Sequence, residues 1–193
     1  MAPTNDRKII IGITGTLGAG KGTVVDYLVA RDFRHFSVRE FLVEEIKKRG
    51  LPVNRDTMVA VGNDLRREHS HGYIAEELHK QAVASGKNSV IESLRAVGEV
   101  RALRARGNFH LFAVDADPKV RYGRIALRGT ETDRISFDEF LANDQREMQS
   151  DDPAKQNLSK CIEEAEPRFR FVNNDSIEEL HQKVEGAIKT ILV

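Results

Sequence analysis

The sequence predicts an α/β protein built on a parallel sheet, and three observations point to it. Short apolar runs alternate with stretches of helical periodicity along the 193 residues. The first run, Ile9 to Ile13, ends in a glycine-rich turn containing Gly15, Gly18 and Gly20. That turn leads through Lys21, Gly22 and Thr23 into a helical pattern. Strand, glycine-rich loop, Lys and helix in this order describe a P-loop, where backbone N–H groups and a helix N-terminus cradle phosphates and the Lys reaches the terminal ones. The minimal Gly15/Gly20/Lys21 spacing alone would arise by chance in roughly one chain in fifteen of this length. Gly18, Thr23 and the flanking strand and helix make it far more specific.

The remaining elements follow in order. Val24, Val25, Leu28 and Val29 stripe the first helix, and Phe33 to Phe36 reads as a second strand. Ser37-Val-Arg-Glu40 is a capping box opening a helix with Val38, Phe41, Leu42 and Ile46 inward. Gly50 and Pro52 stop it, and Asp56 is expected to cap the next helix, with Met58, Val61 and Leu65 inward. Ile74, Leu78 and Ala82 mark a third helix that stops at Gly86. Three helices without a strand exceed a minimal crossover, so residues 37–86 read as a helical insert for a substrate. Ser89 to Ser93 is a strand, Val97, Val100 and Leu103 a helix, and Phe109 to Val114 a strand.

Asp117-Pro118 opens a helix carrying Arg121, Arg124 and Arg128, a spacing that places three guanidiniums on one face. After a polar loop, Gly129 to Asp133, Ser136 to Glu139 forms a second capping box. That helix is lined by Phe137, Phe140, Leu141 and Met148, and Asp151-Asp152-Pro153 breaks it. A short polar helix over 154–165 precedes the last strand, Phe169 to Val172. Asp175 is then expected to cap a C-terminal helix. Ligands of parallel sheets bind beyond the carboxyl ends of the strands. The glycine-rich loop, Ser37, Glu92, Asp115 and Asn173 all fall at those ends.

Lys plus Arg number 30 and Asp plus Glu number 30, so no overall basic excess points to nucleic acid, although a local basic cleft is compatible with this balance. A single Cys, Cys161, rules out an internal disulfide framework and fits a reducing cytoplasm. Without a leader pattern or an apolar run near 18 residues, the expectation is a soluble cytoplasmic protein with no membrane partner. His69, His71 and Asp64 lack convincing metal-ligand spacing and are read as surface residues.

Gly15-Thr-Leu-Gly18-Ala-Gly20-Lys21-Gly22-Thr23 resembles the loop of nucleoside monophosphate kinases, with Gly22 where general P-loop NTPases place a metal-binding Ser or Thr. Val-Ile-Glu92-Ser-Leu-Arg95-Ala-Val-Gly-Glu99 is similar to a strand end in adenylate kinases and deoxynucleoside monophosphate kinases. Gly62-Asn-Asp-Leu-Arg66-Arg67 with Gly72-Tyr73 resembles the substrate helix of the deoxynucleotide group. Arg121 to Asp133, Phe140 to Glu147 and Val172-Asn173 resemble kinase-like proteins related to dephospho-CoA kinase. Three departures stand out: Glu92 replaces the usual Asp, no Pro precedes Arg95, and the lid is short.

The resemblance implies a P-loop NTPase three-layer fold with a five-stranded parallel sheet of order 2-3-1-4-5. It implies one kinase-like domain over 1–193, an acceptor-binding helical insert about 37–86 and a short lid about 121–135. ATP and Mg²⁺ would be the cofactors, and a small nucleotide, a nucleoside or deoxynucleoside monophosphate, the acceptor. Gly15, Gly18, Ala19, Gly20, Lys21, Gly22, Thr23 and Asn173 would bind the donor nucleotide. Thr23 and Glu92 would hold Mg²⁺, Glu92 through water. Arg39, Arg66 and Arg95 would take the acceptor. Lys21, Arg95, Arg124 and Arg128 would stabilise the charge that develops in transfer, with Arg121 and Arg134 as further lid candidates. A monomer or homodimer is expected. Two rival readings remain, a dephospho-CoA kinase and a slow NTPase or nucleotide-binding regulatory factor.

Overall fold

The computed structural model describes residues 8–130 and 134–192. Residues 131–133 of the expected lid lie outside the described residues. Five strands form one sheet: β1 (Ile10–Gly15), β2 (Arg34–Ser37), β3 (Ser89–Leu94), β4 (Phe109–Asp115) and β5 (Arg170–Val172). All pairings are parallel and the order is β2-β3-β1-β4-β5, the topology that the resemblance implied. The central strand is buried along its whole length, as a parallel sheet covered on both faces requires.

Side chains alternate between the two faces and so divide the core. Ile11 and Ile13 of β1 join Phe112, Val114 and Phe171 beneath α1 (Lys21–Val29) and α9 (Ile177–Ile191), through Val24, Leu28, Leu180 and Val184. Ile10, Ile91, Leu94 and Leu111 face the other way. They pack against α2 (Val38–Lys48), α3 (Arg55–Glu68), α4 (Tyr73–Ala84), α5 (Val97–Ala105) and α8 (Leu158–Glu164), through Leu42, Leu65, Leu78, Val100 and Cys161. Gly12 belongs to this face too, where a Cβ would lie 2.6 Å from the Phe109 ring. The two remaining described helices, α6 (Pro118–Arg128) and α7 (Phe137–Met148), meet through Tyr122, Phe137 and Phe140.

Two caps differ from expectation. Asn54, not Asp56, caps α3: its Oδ1 accepts from Thr57 N (2.9 Å), and Thr57 Oγ1 accepts from Asn54 N (3.1 Å). That reciprocal box holds two otherwise orphaned donors and leaves Asp56 in the first turn, where its charge suits the helix dipole. Ser176, not Asp175, caps α9 by accepting from Glu179 N at 3.2 Å, while Asp175 pairs with Lys183. Ser37, Asp117 and Ser136 cap α2, α6 and α7 as the sequence suggests.

Candidate functional site

The carboxyl ends of β1 and β3 open onto a cleft of about 490 Å³. The glycine-rich loop forms one wall, with Gly18, Gly20, Lys21, Gly22 and Thr23 lining it. Two glycines are demanded by what lies behind the loop. Gly15 has φ 136°, and a Cβ there would meet the Val114 carbonyl oxygen at 1.9 Å. Gly20 has φ 99°, and a Cβ there would meet Asn173 Nδ2 at 2.3 Å. Gly22 has no atom within 4 Å of such a Cβ, so space alone does not require glycine at that position.

Asn173 is nearly buried and donates from Nδ2 to the Ala19 carbonyl at 2.8 Å. Ala19 is itself fully buried. Both residues, expected to touch the donor nucleotide, therefore sit behind the loop and fix its path from the end of β5. Lys21 Nζ donates to the carbonyls of Gly15 (3.0 Å) and Thr16 (2.8 Å). Its pKa falls to about 8, chiefly because burial disfavours the ammonium and secondarily because Arg95 is near, while Glu92 and Glu147 oppose the shift.

Glu92 reaches the cleft from the end of β3. The register slips there: Thr14 pairs with Leu94, and Ser93 is passed over at φ 71°. Ser37 Oγ donates to Glu92 Oε2 at 3.2 Å, and Ser93 Oγ donates to Oε1. His35 Nε2 lies 3.7 Å from Oε2, an ion-pair distance rather than a hydrogen bond. Burial works to raise the Glu92 pKa, but His35, Ser93 and the Lys21 charge outweigh it and hold the group at about 2. Glu92 is thus a fixed anion beside a crowded cation.

Seven cations line the cleft, Lys21, Arg39, Arg55, Arg66, Arg95, Arg124 and Arg128, against two carboxylates, Glu92 and Glu147. A chain of zero formal charge thus concentrates positive charge at one place. The arginines are not alike. Arg66 is 2% exposed and bound to fully buried Glu99 through Nε (3.0 Å) and Nη2 (2.8 Å). This pair frames the site: Arg66, expected to take the acceptor, lines the cleft with its Nε and Nη2 engaged by Glu99. Arg121 is likewise buried, forked onto Asp144 with two bonds of 2.8 Å, and does not share the open face expected for it. Arg124 donates to the Asn173 carbonyl at 2.9 Å and still borders the cleft. Arg134 is exposed and does not line it.

Arg39 is exposed at the start of α2 and lines the cleft. Arg95 is half-buried, its backbone N–H donating to Glu99 Oε2 at 3.0 Å and its guanidinium to Glu147. Arg55 Nη2 donates to the other oxygen of the same Glu147 carboxylate. Sequence reasoning missed Arg55 and Glu147. Their contact spans 92 residues, and neither carries a local motif. Glu147 entered only as the end of Phe140 to Glu147, a stretch carrying the resemblance to kinase-like proteins, with no role of its own.

No group of three or more His, Cys, Asp or Glu among the described residues is placed to hold a metal ion. No helix of the described residues is long and apolar enough to cross a membrane.

Fold and loop together define the class: a P-loop protein of kinase-like α/β architecture. A family model described as an AAA domain matches residues 11–152. The chain is 31% identical over 177 residues to UPF0200 protein PAE1629 of Pyrobaculum aerophilum, covering 91% of this chain and 94% of that protein. This chain belongs to the AAA domain family and to the UPF0200 proteins. Among solved structures it is similar to TT1252 from Thermus thermophilus, with TM-score 0.61, 19% identity and coverage of 96% and 97% of the two chains. It is also similar to shikimate kinase from Bacteroides thetaiotaomicron, with TM-score 0.57, 15% identity and coverage of 94% and 98%. At those identities the likeness is one of fold.

Proposed function

We propose that this protein transfers the γ-phosphoryl group of Mg-ATP to a small phosphorylated acceptor, a nucleoside or deoxynucleoside monophosphate. The observation that carries this reading is the cationic cleft, where Lys21 of the glycine-rich loop and six arginines line one space in a chain of zero net charge. ATP, when bound, supplies the phosphoryl group, with Mg²⁺ screening its oxygens. The residues present fit it. Lys21 is a half-buried cation, desolvated and crowded by Arg95 and answered by few anions, a setting that a polyphosphate would relieve. Gly18, Gly20 and Gly22 leave room for phosphate along the loop wall. Thr23 would bond a phosphate oxygen or the metal, and Glu92 would orient metal-bound water.

Lys21 would neutralise charge as it builds on the transferred group, and Arg124 and Arg128 would cover it from the helix that leads to the lid. Residues 37–86 would present the acceptor, with Arg39 and Arg95 toward its phosphate. A carboxylate held at about 2 is a weak base. This supports an acceptor that arrives already ionised over a hydroxyl needing deprotonation, as dephospho-CoA would.

Coupled ADP-release assays against nucleoside and deoxynucleoside monophosphates, dephospho-CoA and shikimate test the reading. Acceptor-stimulated turnover on a monophosphate is expected, and its absence on every compound sinks the kinase assignment. Lys21→Ala is expected to lower turnover by at least about 100-fold, since it removes charge stabilisation at the reacting group. Unchanged turnover would remove the phosphate loop from the mechanism.

A further inference from the structure

Glu147 is 4% exposed, and each of its oxygens accepts from a different guanidinium, Arg55 on one side and Arg95 on the other. We propose that Arg55 and Arg95, bridged by Glu147, form one prebuilt clamp for an oxyanion of the acceptor, with Glu147 as its positioning residue. The proposal rests on the phosphoryl-transfer reading and names the group by which the acceptor is held.

Two guanidiniums and one carboxylate leave a surplus positive charge in a largely desolvated place, and buried charge requires a partner. Arg55 Nε is buried and makes no hydrogen bond. A donor held that way is costly, so the Arg55 side chain is not fully satisfied by Glu147 alone. The Arg95 backbone is pinned at both ends, its N–H on Glu99 and its carbonyl accepting from Asn157 N at 2.9 Å. A fork mounted this way fits the paired oxygens of a phosphate or carboxylate. Leu42, Met58 and Val59 line the same cleft and offer an apolar bed for the rest of the molecule.

Glu147 has two opposed effects on such a ligand. It fixes two long side chains in register, and it repels the incoming anion. The first effect aids the transition state through orientation, while the second reduces ground-state affinity. Replacing it by Gln should therefore tighten binding and slow transfer, whereas a merely structural glutamate would weaken both when lost.

The test uses the full chain saturated with a non-hydrolysable ATP analogue, which fills the loop. Inorganic phosphate and, separately, acetate are titrated into it by calorimetry. Saturable binding of one of them is expected, and the tighter of the two tells a phosphate group from a carboxylate. Arg55→Ala should weaken that binding about tenfold or more, with analogue affinity changed less than about twofold. Arg55→Lys, which keeps the charge and loses the fork, serves as the second variant should the alanine form not fold. Glu147→Gln should tighten anion binding about threefold, and with the active acceptor lower both KM and kcat, kcat by about tenfold, with Glu147→Asp partly restoring kcat. Absence of a second anion site, indifference to both Arg55 variants, or a Glu147→Gln form with raised KM overturns the clamp even if kinase turnover stands. Saturable anion binding without turnover on any acceptor removes the kinase reading and leaves the clamp in place.

Discussion

The glycine-rich loop and the arginine side of the cleft face each other and are built in opposite ways. The loop is nine consecutive residues, Gly15 to Thr23, whose shape follows from local backbone demands and a few ties from outside: Asn173 on Ala19, Asp115 on Thr16 and Arg121 on Leu17. The arginine side is drawn from α2, α3, α7 and the turn after β3, and no two of its key residues are neighbours in sequence. Its geometry depends on buried carboxylates: Glu99 holds Arg66 and the backbone of Arg95, while Glu147 holds the guanidiniums of Arg55 and Arg95. A phosphate cradle can thus be written in one stretch of chain, because backbone N–H groups do the binding. A side-chain fork needs a framework to stop its long arms from wandering.

The strongest way to break the arginine side is to remove its frame. Glu99→Ala would leave the Arg66 guanidinium buried without its partner and free the Arg95 and Ala96 N–H groups. Breaking a buried pair costs about 3–5 kcal/mol. For a chain of this size the melting temperature should fall by roughly 2–4 °C per kcal/mol. Thermal unfolding followed by circular dichroism checks this. A fall below about 2 °C would mean that the arginine side holds its shape without the frame.

The same contrast explains what could be read from the sequence. The five strands, the three helices between β2 and β3 and the loop followed from periodicity and from local turn and cap chemistry. The two misplaced caps, Asp56 and Asp175, were errors of one or two positions among residues that all cap well, Asn54 and Ser176 having won by reciprocal or better-placed bonds. Arg121 and Arg66 looked like solvated or ligand-facing arginines because helical spacing reports a face and not what covers it. Asp144 and Glu99, the carboxylates that bury them, lie 23 and 33 residues away. Arg55 carries no pattern, and Glu147 only closes a stretch of resemblance, so neither has a readable role until the fold brings them together.

A smaller effect probes the loop's tie to β5. Asn173→Ala removes a buried hydrogen bond to Ala19, a change of about 1–2 kcal/mol, and frees the first turn beyond Gly20. If Asn173 acts by holding the loop, affinity should fall by a similar factor for ATP, GTP and inorganic triphosphate. A loss confined to one base would return Asn173 to base recognition and make its contact with Ala19 incidental. Equilibrium binding of the three ligands to both proteins separates the cases.

The smallest expected effect concerns the proton on Lys21. Its pKa in the free protein lies near 8, against 10.5 for the ordinary side chain. The lowered value means that the folded form binds fewer protons than the unfolded chain between those limits. Holding the ammonium therefore costs stability in full below pH 8, and the cost is relieved as pH rises toward 10.5. A bound polyphosphate favours the ammonium, so binding below pH 8 needs no added proton and should be insensitive to pH on this account. Above it binding takes up a fraction of a proton that approaches one, and affinity should fall by up to about tenfold per pH unit, reaching about fourfold below its low-pH value at pH 8.5. Phosphate groups ionise around pH 6, well below this window, and do not mask it. Calorimetry in buffers of different ionisation enthalpy would show the proton uptake directly, and Lys21→Met should abolish both the uptake and the slope. A wild-type affinity flat to pH 9.5 would mean that Lys21 does not pair with the ligand's phosphates, which would separate the loop's shape from the role assigned to its one cation.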